Sequence, residues 1–128
     1  MHLKQTVPVI ATADIRSTLA YFKEVLDFKV HFIFGDPPVY AGIERDGVLL
    51  YLSEDAKLAT TMRTFDLHPE IFLWVSGVNE AFEEHRRRGA KIVEEISARP
   101  WDARQYVIEE PNGYYPKIAE PIDEVEVD

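Results

Sequence analysis

The sequence contains no cysteine. Disulfides, thiolate metal sites and cysteine nucleophiles are therefore excluded. No run of about 18 apolar residues occurs, so no transmembrane helix is expected. The opening residues, MHLKQTVPVI, hold no apolar signal-peptide segment, and the expected location is cytoplasmic. Basic residues are scarce: 14 Lys and Arg stand against 23 Asp and Glu, giving a net charge of −9. Five of those acids fall in the last nine residues, EPIDEVEVD, which hold no base, so the rest of the chain carries only −4. With no basic footprint, nucleic acid and anionic membranes are not expected partners, whereas a cationic ligand is compatible with the charge. Glycine-rich phosphate loops, serine-centred elbows and paired catalytic carboxylates are also missing. The adjacent pairs Glu83-Glu84, Glu94-Glu95 and Glu109-Glu110 read as solvated faces, because neighbouring residues diverge on helices and strands.

What is present reads as one folded domain over residues 1–128, with 46% apolar residues to build its core. The pattern runs twice. VPVIAT (7–12) reads as a strand, with Pro8 at its start. Asp14 can cap a helix from Ile15, whose Leu19, Phe22 and Leu26 recur at helical spacing. Val30, Phe32 and Phe34 then alternate with Lys29, His31 and Ile33 as a strand. Gly35-Asp36-Pro37-Pro38 breaks the chain, and Asp46-Gly47 marks a hairpin within YAGIERDGVLLYLS. In the second half IFLWV (71–75) is a short strand, and Val78, Ala81, Phe82 and His85 mark a helix that stops by Gly89. KIVEEI (91–96) alternates, and RQYVIEE and the segment after Asn112-Gly113 form a second hairpin. Each half is thus strand, helix and three strands, offset by about 63 residues. The expected boundaries are a first repeat at about 5–53, a linker at 54–69 with no clear period, a second repeat at about 70–120, and a solvated, partly mobile acidic tail at 121–128. The fold class is α+β, as two βαβββ repeats.

Several side chains could carry chemistry. Phe32 and Phe34 share a strand face, and Tyr40 and Tyr51 lie on the next two strands. Trp101 follows Pro100 in a polar turn, flanked by Asp102, with no period that would bury it. Aromatics in a concave site stack on flat ligands and attract cations. Trp74, in an apolar strand, reads as packing or interface. Of the histidines, His2 is terminal, and His31 faces solvent or a neighbouring strand. His85 is expected partly buried with a backbone partner. His68 precedes Pro69-Glu70 and reads as a loop histidine rather than half of a zinc pair.

The strings ADIRSTLAYFKEVLDFKV, VNEAFEEHRRRGAKI and EPNGYYPKIAE resemble the vicinal-oxygen-chelate superfamily, which includes glyoxalase I, extradiol dioxygenases and bleomycin-resistance proteins. VPVIATADI, YAGIERDGVLLYLS, FLWVSGVNEAFEEH and RPWDARQYVIEEPNG are closest to the bleomycin-resistance branch. The likeness spans roughly residues 5–120. Three departures stand out: Asp27 replaces the turn glycine of Leu-Gly-Phe, Glu110-Pro111-Asn112-Gly113-Tyr114 replaces Asp-Pro-x-Gly-Asn, and Pro116 falls where the last strand is expected. The superfamily's four metal-ligand positions match Val7, Tyr51, Glu70 and Lys117, of which only Glu70 is an ordinary ligand, so no metal and no cofactor are expected. The resemblance implies a metal-free homodimer that sequesters a flat, cationic natural product such as bleomycin, with no catalytic residue. Two ligands would lie in grooves shared between subunits. It places Trp101 at the stacking tryptophan of the family's Pro-Trp-Gly string, with Asp102 for the glycine. It puts Phe34 and Asp36 in the groove region and Pro8 at the strand exchanged between subunits. The alternatives are a lyase, isomerase or dioxygenase of the same superfamily with an atypical site, and a carrier with no drug role.

Overall fold

Asp14 begins the first helix by accepting a hydrogen bond from the Arg16 N–H at 3.1 Å, the capping that its residue type favours. The computed structural model describes residues 1–125, and the chain divides into two units, Met1–Leu67 and His68–Asp128. In the first unit β1 (Val9–Thr12) is followed by α1 (Ile15–Glu24), β2 (Lys29–Phe34), β3 (Tyr40–Arg45), β4 (Val48–Glu54) and α2 (Ala56–Phe65). The sheet order is β1-β4-β3-β2, with β1 parallel to β4 and the other neighbours antiparallel. Asp46 and Gly47, with φ of 52° and 82°, make the expected hairpin turn between β3 and β4. One sheet face is covered: Ile15, Thr18 and Phe22 of α1 are buried, as are Ile10, Ala41, Ile43, Leu50 and Leu52 of the strands. Phe22 meets Phe28 edge-on at 5.6 Å. The Arg45 guanidinium donates to the Leu26 carbonyl at 2.8 Å and ties the end of the helical segment to β3.

Two expectations change here. The segment 54–69, expected as a linker without period, contains α2. Asp55 caps it, accepting from the Leu58 N–H at 3.0 Å, and Ala59 is its one buried residue. Only a single position needs to be apolar for this helix to rest against β1, so no stripe marks it in the sequence. The second change is in β2. A bulge between Val30 and Phe32 leaves Val30 opposite Ile43 on the helix side, but puts Phe32 opposite Gly42 and Phe34 opposite Tyr40 on the other face. Val30 therefore does not share a face with the two phenylalanines, as simple alternation would have it.

The second unit repeats the plan with β5 (Phe72–Trp74), α3 (Val78–Arg87), β6 (Lys91–Arg99), β7 (Ala103–Glu109) and β8 (Lys117–Pro121), in sheet order β5-β8-β7-β6. The parallel pairs correspond: Val9 lies opposite Tyr51, and Phe72 opposite Lys117. Val78, Phe82 and His85 of α3 are buried. The His85 ring meets a side chain, the Tyr106 hydroxyl, at 2.6 Å. Pro116 precedes β8 instead of interrupting it. Trp74 is not packed into its unit: it is 60% exposed, with its ring 4.8 Å from Phe72. Its partner in register is Ala119, on the face turned away from Leu73 and Ile118.

In the expected tail at 121–128, Ile122, Asp123 and Glu124 are exposed. Glu120 is buried, and Ile122–Glu124 form a 3-10 turn. Residues 126–128 of that expected tail lie outside the described residues. No helix of the described residues is long and apolar enough to cross a membrane.

Phe22→Ala removes the ring that joins α1 to its sheet. Urea unfolding is expected to show a loss of about 3–5 kcal/mol, the usual cost of deleting a buried phenylalanine.

Candidate ligand-binding site

The uncovered face of the first sheet is built from aromatic residues on three strands. The Phe32 ring stacks on Tyr40 at 6.2 Å and 18° and meets Tyr51 edge-on at 5.3 Å, while Tyr40 and Tyr51 are 5.9 Å apart. These separations are in the range where aromatic pairs attract one another. The cluster depends on a glycine. A Cβ at Gly42 would lie 2.4 Å from the Phe32 ring, so only a residue without a side chain lets that ring lie against β3.

Phe34 is 68% exposed and continues the aromatic face toward the sheet edge. The turn that follows it is tight. Gly35 has φ of 96°, a Cβ there would come within 2.9 Å of the Pro37 carbonyl, and the Val39 N–H donates to the Phe34 carbonyl at 2.9 Å. The turn brings Val39 beside Phe34. Together with Ile33, Ser53 and Glu54 they line an open groove of about 730 Å³ against Phe32 and Tyr40. No Lys, Arg or His lines it. His31 and Glu44 pair at 3.8 Å, on strands flanking the same face.

Of the expected site residues, the structure therefore gathers Phe32, Phe34, Tyr40 and Tyr51 on one surface. Asp36 stands exposed in the turn after β2, with a cis peptide to Pro37, and does not line the groove. Pro8 precedes β1, and its carbonyl accepts from the Tyr51 N–H at 2.9 Å. Trp101 and Asp102 belong to the second unit. Trp101 is 56% exposed, and its indole N–H donates to Gln105 Oε1 at 3.2 Å. Asp102 takes φ of 59°, as Asp27 takes 58°, so both aspartates adopt the left-handed conformation at positions where the resemblance expects glycine.

Sequence reasoning missed Gly42, Val39, Ser53 and Glu54. Ser53 had a signal, since it is two residues beyond Tyr51 on the same strand face. Gly42 had none without knowledge of its cross-strand partner.

A second polar cluster lies in the second unit. Glu110 is fully buried, contrary to the solvated-pair reading. Its carboxylate accepts from the Asn112 N–H at 2.6 Å, the Asn112 side-chain amide at 3.0 Å and the Tyr114 N–H at 3.1 Å. Burial pushes the Glu110 carboxyl above its ordinary value of 4.5, against the opposing pull of these donors and of His68. His68 does not meet Glu70. Its Nε2 faces the Asn112 carbonyl at 3.0 Å, which can only accept, so Nε2 carries a proton. Its ring lies 4.6 Å from Tyr114.

The family model described as the Glyoxalase/Bleomycin resistance protein/Dioxygenase superfamily matches residues 2–116. The chain belongs to that superfamily. No curated protein matches the sequence at a significant level. Among solved structures, TioX from Micromonospora sp. ML1 is 18% identical, with 92% of this chain and 98% of that one covered and a TM-score of 0.75. The bleomycin-binding protein of Streptomyces verticillus, in complex with copper(II)-bleomycin, is 17% identical, with 92% and 96% covered and a TM-score of 0.73. A bleomycin resistance determinant encoded on transposon Tn5 is 15% identical, with 92% and 98% covered and a TM-score of 0.77. At these identities the likeness is one of fold.

The metal that superfamily enzymes carry does not fit the residues present here. At the matching positions the Val7 side chain has no donor atom, and Glu70 Oε1 accepts from Lys117 Nζ at 2.8 Å. That hydrogen bond, with the charge of the ammonium, holds the Glu70 carboxyl below its ordinary range. An ammonium ion paired to the one ordinary ligand supplies positive charge where a cation would need negative. Among the described residues, no group of three His, Cys, Asp or Glu is placed to hold a metal.

Gly42→Ala is expected to drive the Phe32 ring off β3. A loss of about 1–3 kcal/mol in urea unfolding should accompany a changed near-ultraviolet circular dichroism signal, as for an overpacked core site. Adding Phe32→Leu should restore the stability without restoring the signal.

The raised Glu110 carboxyl sets a pH dependence. Its folded-state value lies above the unfolded 4.5, so the folded protein binds the proton first as pH falls. The resulting stabilisation is complete below the unfolded value and is lost as pH rises through the folded one. Denaturant unfolding from neutral pH down to pH 4.5 should therefore show the wild type gaining stability relative to Glu110→Gln. A constant difference would contradict this.

Proposed function

We propose that this protein binds a flat, cationic natural product of the bleomycin type stoichiometrically, as a homodimer, without a metal and without chemical turnover. The observation that carries the reading is the aromatic face of Phe32, Tyr40 and Tyr51, continued by Phe34 into a groove that no basic side chain lines. Stacked rings offer a planar ligand contact area at little entropic cost and attract positive charge. Trp101 is proposed as a further stacking residue, supported by its exposure and by the resemblance of its turn. Asp102 and Asp36 are proposed as acidic neighbours of the ligand. Pro8, at the start of β1, is proposed to direct the strand exchanged in the dimer. Exposed Phe34, Phe72 and Trp74 support a dimer, because large rings left bare on sheet faces favour association.

The test is calorimetric titration with metal-free bleomycin, with light scattering for the oligomeric state. A dimer that binds one bleomycin per chain, weakened roughly ten- to a hundredfold in Phe32→Ala and in Trp101→Ala, is the expected result. Both variants should keep the wild-type melting behaviour to within a few degrees. A monomer at micromolar concentration refutes the dimer. A well-folded Phe32→Ala with unchanged bleomycin affinity refutes the site.

A further inference from the structure

Glu54 is the acidic residue that lines the aromatic groove. Its counterpart in the second repeat is Glu120. Glu54 follows Ser53 at the end of β4, as Glu120 follows Ala119 in β8, and Ser53 and Ala119 hold matching register positions against β1 and β5. In the second unit Glu120 is buried and both of its oxygens are occupied. Oε2 accepts from the Gly77 N–H and Oε1 from the Val78 N–H, each at 3.1 Å. These bonds satisfy the N–H of the N-cap residue Gly77 and the first N–H of α3, where no side-chain cap is made.

The first unit holds the start of α1 with two side chains. Asp14 is the N-cap of α1 and accepts from the Arg16 N–H. Glu54 makes one such bond, with Oε1 accepting from the Ile15 N–H at 3.1 Å, and the residue stays exposed at the groove. The Ile15 bond fixes the orientation of the carboxylate, so its second oxygen is presented without further loss of side-chain freedom. Arg16 and Lys57, in the first turns of the two helices at this end of the sheet, are exposed and do not line the groove.

We propose that Glu54 is the counter-ion of this site. Its Oε2 accepts a charge-assisted hydrogen bond from a cationic nitrogen on a planar ligand whose ring lies on Phe32 and Tyr40. A cation moved from water onto aromatic faces keeps its charge at low cost only if an acceptor replaces the lost solvent, and Glu54 is the carboxylate lining the groove. The assignment rests on the groove reading above and adds a selection for positive charge to it.

Two fluorescent probes of nearly the same shape separate stacking from charge: 9-aminoacridine, which is cationic at pH 8, and acridine, which is uncharged there. The wild type is expected to bind the cation more tightly. Glu54→Gln keeps an acceptor for the Ile15 N–H, and should weaken 9-aminoacridine about tenfold while leaving acridine unchanged. Glu54→Asp, which keeps the charge but draws it back, should weaken 9-aminoacridine alone and serves if Glu54→Gln does not fold. Glu120→Gln should lower the melting temperature and leave the preference for the cation intact. Equal losses of both probes in the Glu54 variants, or no loss, would overturn the counter-ion and leave the groove standing, provided that Phe32→Ala abolishes binding. Failure of the wild type to bind either probe would overturn both.

Discussion

The contact between the Phe32 ring and the bare backbone of Gly42 holds the candidate site together. The bulge at His31 turns Phe32 to the uncovered face, and the missing Cβ at Gly42 lets the ring lie flat there. From that position it stacks on Tyr40 and meets the edge of Tyr51, so three strands contribute to one aromatic surface. Without the bulge Phe32 would lie opposite Ala41 on the helix side, because side chains alternate along a regular strand. Phe34 and the Gly35 turn extend the surface and create the wall formed by Val39.

The duplication explains why one unit has this groove and the other has a different set of contacts. Both repeats use a glutamate near the end of their last strand to hold the start of a helix. In the second unit Glu120 accepts from Gly77 and Val78, whereas in the first Glu54 accepts from Ile15 and the Asp14 side chain accepts from Arg16. The second unit instead buries polar groups. Glu110 binds the backbone of its own turn, and His68 reaches the same turn through the Asn112 carbonyl. Glu70 and Lys117 satisfy each other where superfamily enzymes would place metal ligands.

Membership of the superfamily establishes how the chain folds, and the site chemistry has to be read separately. The first unit presents a surface of stacked rings beside a carboxylate held by a backbone N–H.

Periodicity and turn chemistry made most of the fold legible. The two βαβββ repeats follow from alternating runs, from Asp14 and from Asp46-Gly47, since these act over a few neighbouring residues. The aromatic residues Phe32, Phe34, Tyr40 and Tyr51 were also legible as a group. By itself the sequence thus determined the repeat plan, the acidic balance and the residue types of the site. Tertiary structure decided the rest, because the rest depends on partners far away in the chain. The α2 helix has one buried residue, an alanine, and left no apolar stripe, and Trp74 lies in an apolar strand yet is exposed, on the edge strand of its sheet. Glu110 is buried by its turn and Gly42 is required by a ring on the next strand. Glu54 lines the groove while bound to the Ile15 N–H, a contact made across 39 residues of chain. Burial and pairing of this kind are properties of the assembled sheet, and no local pattern encodes them.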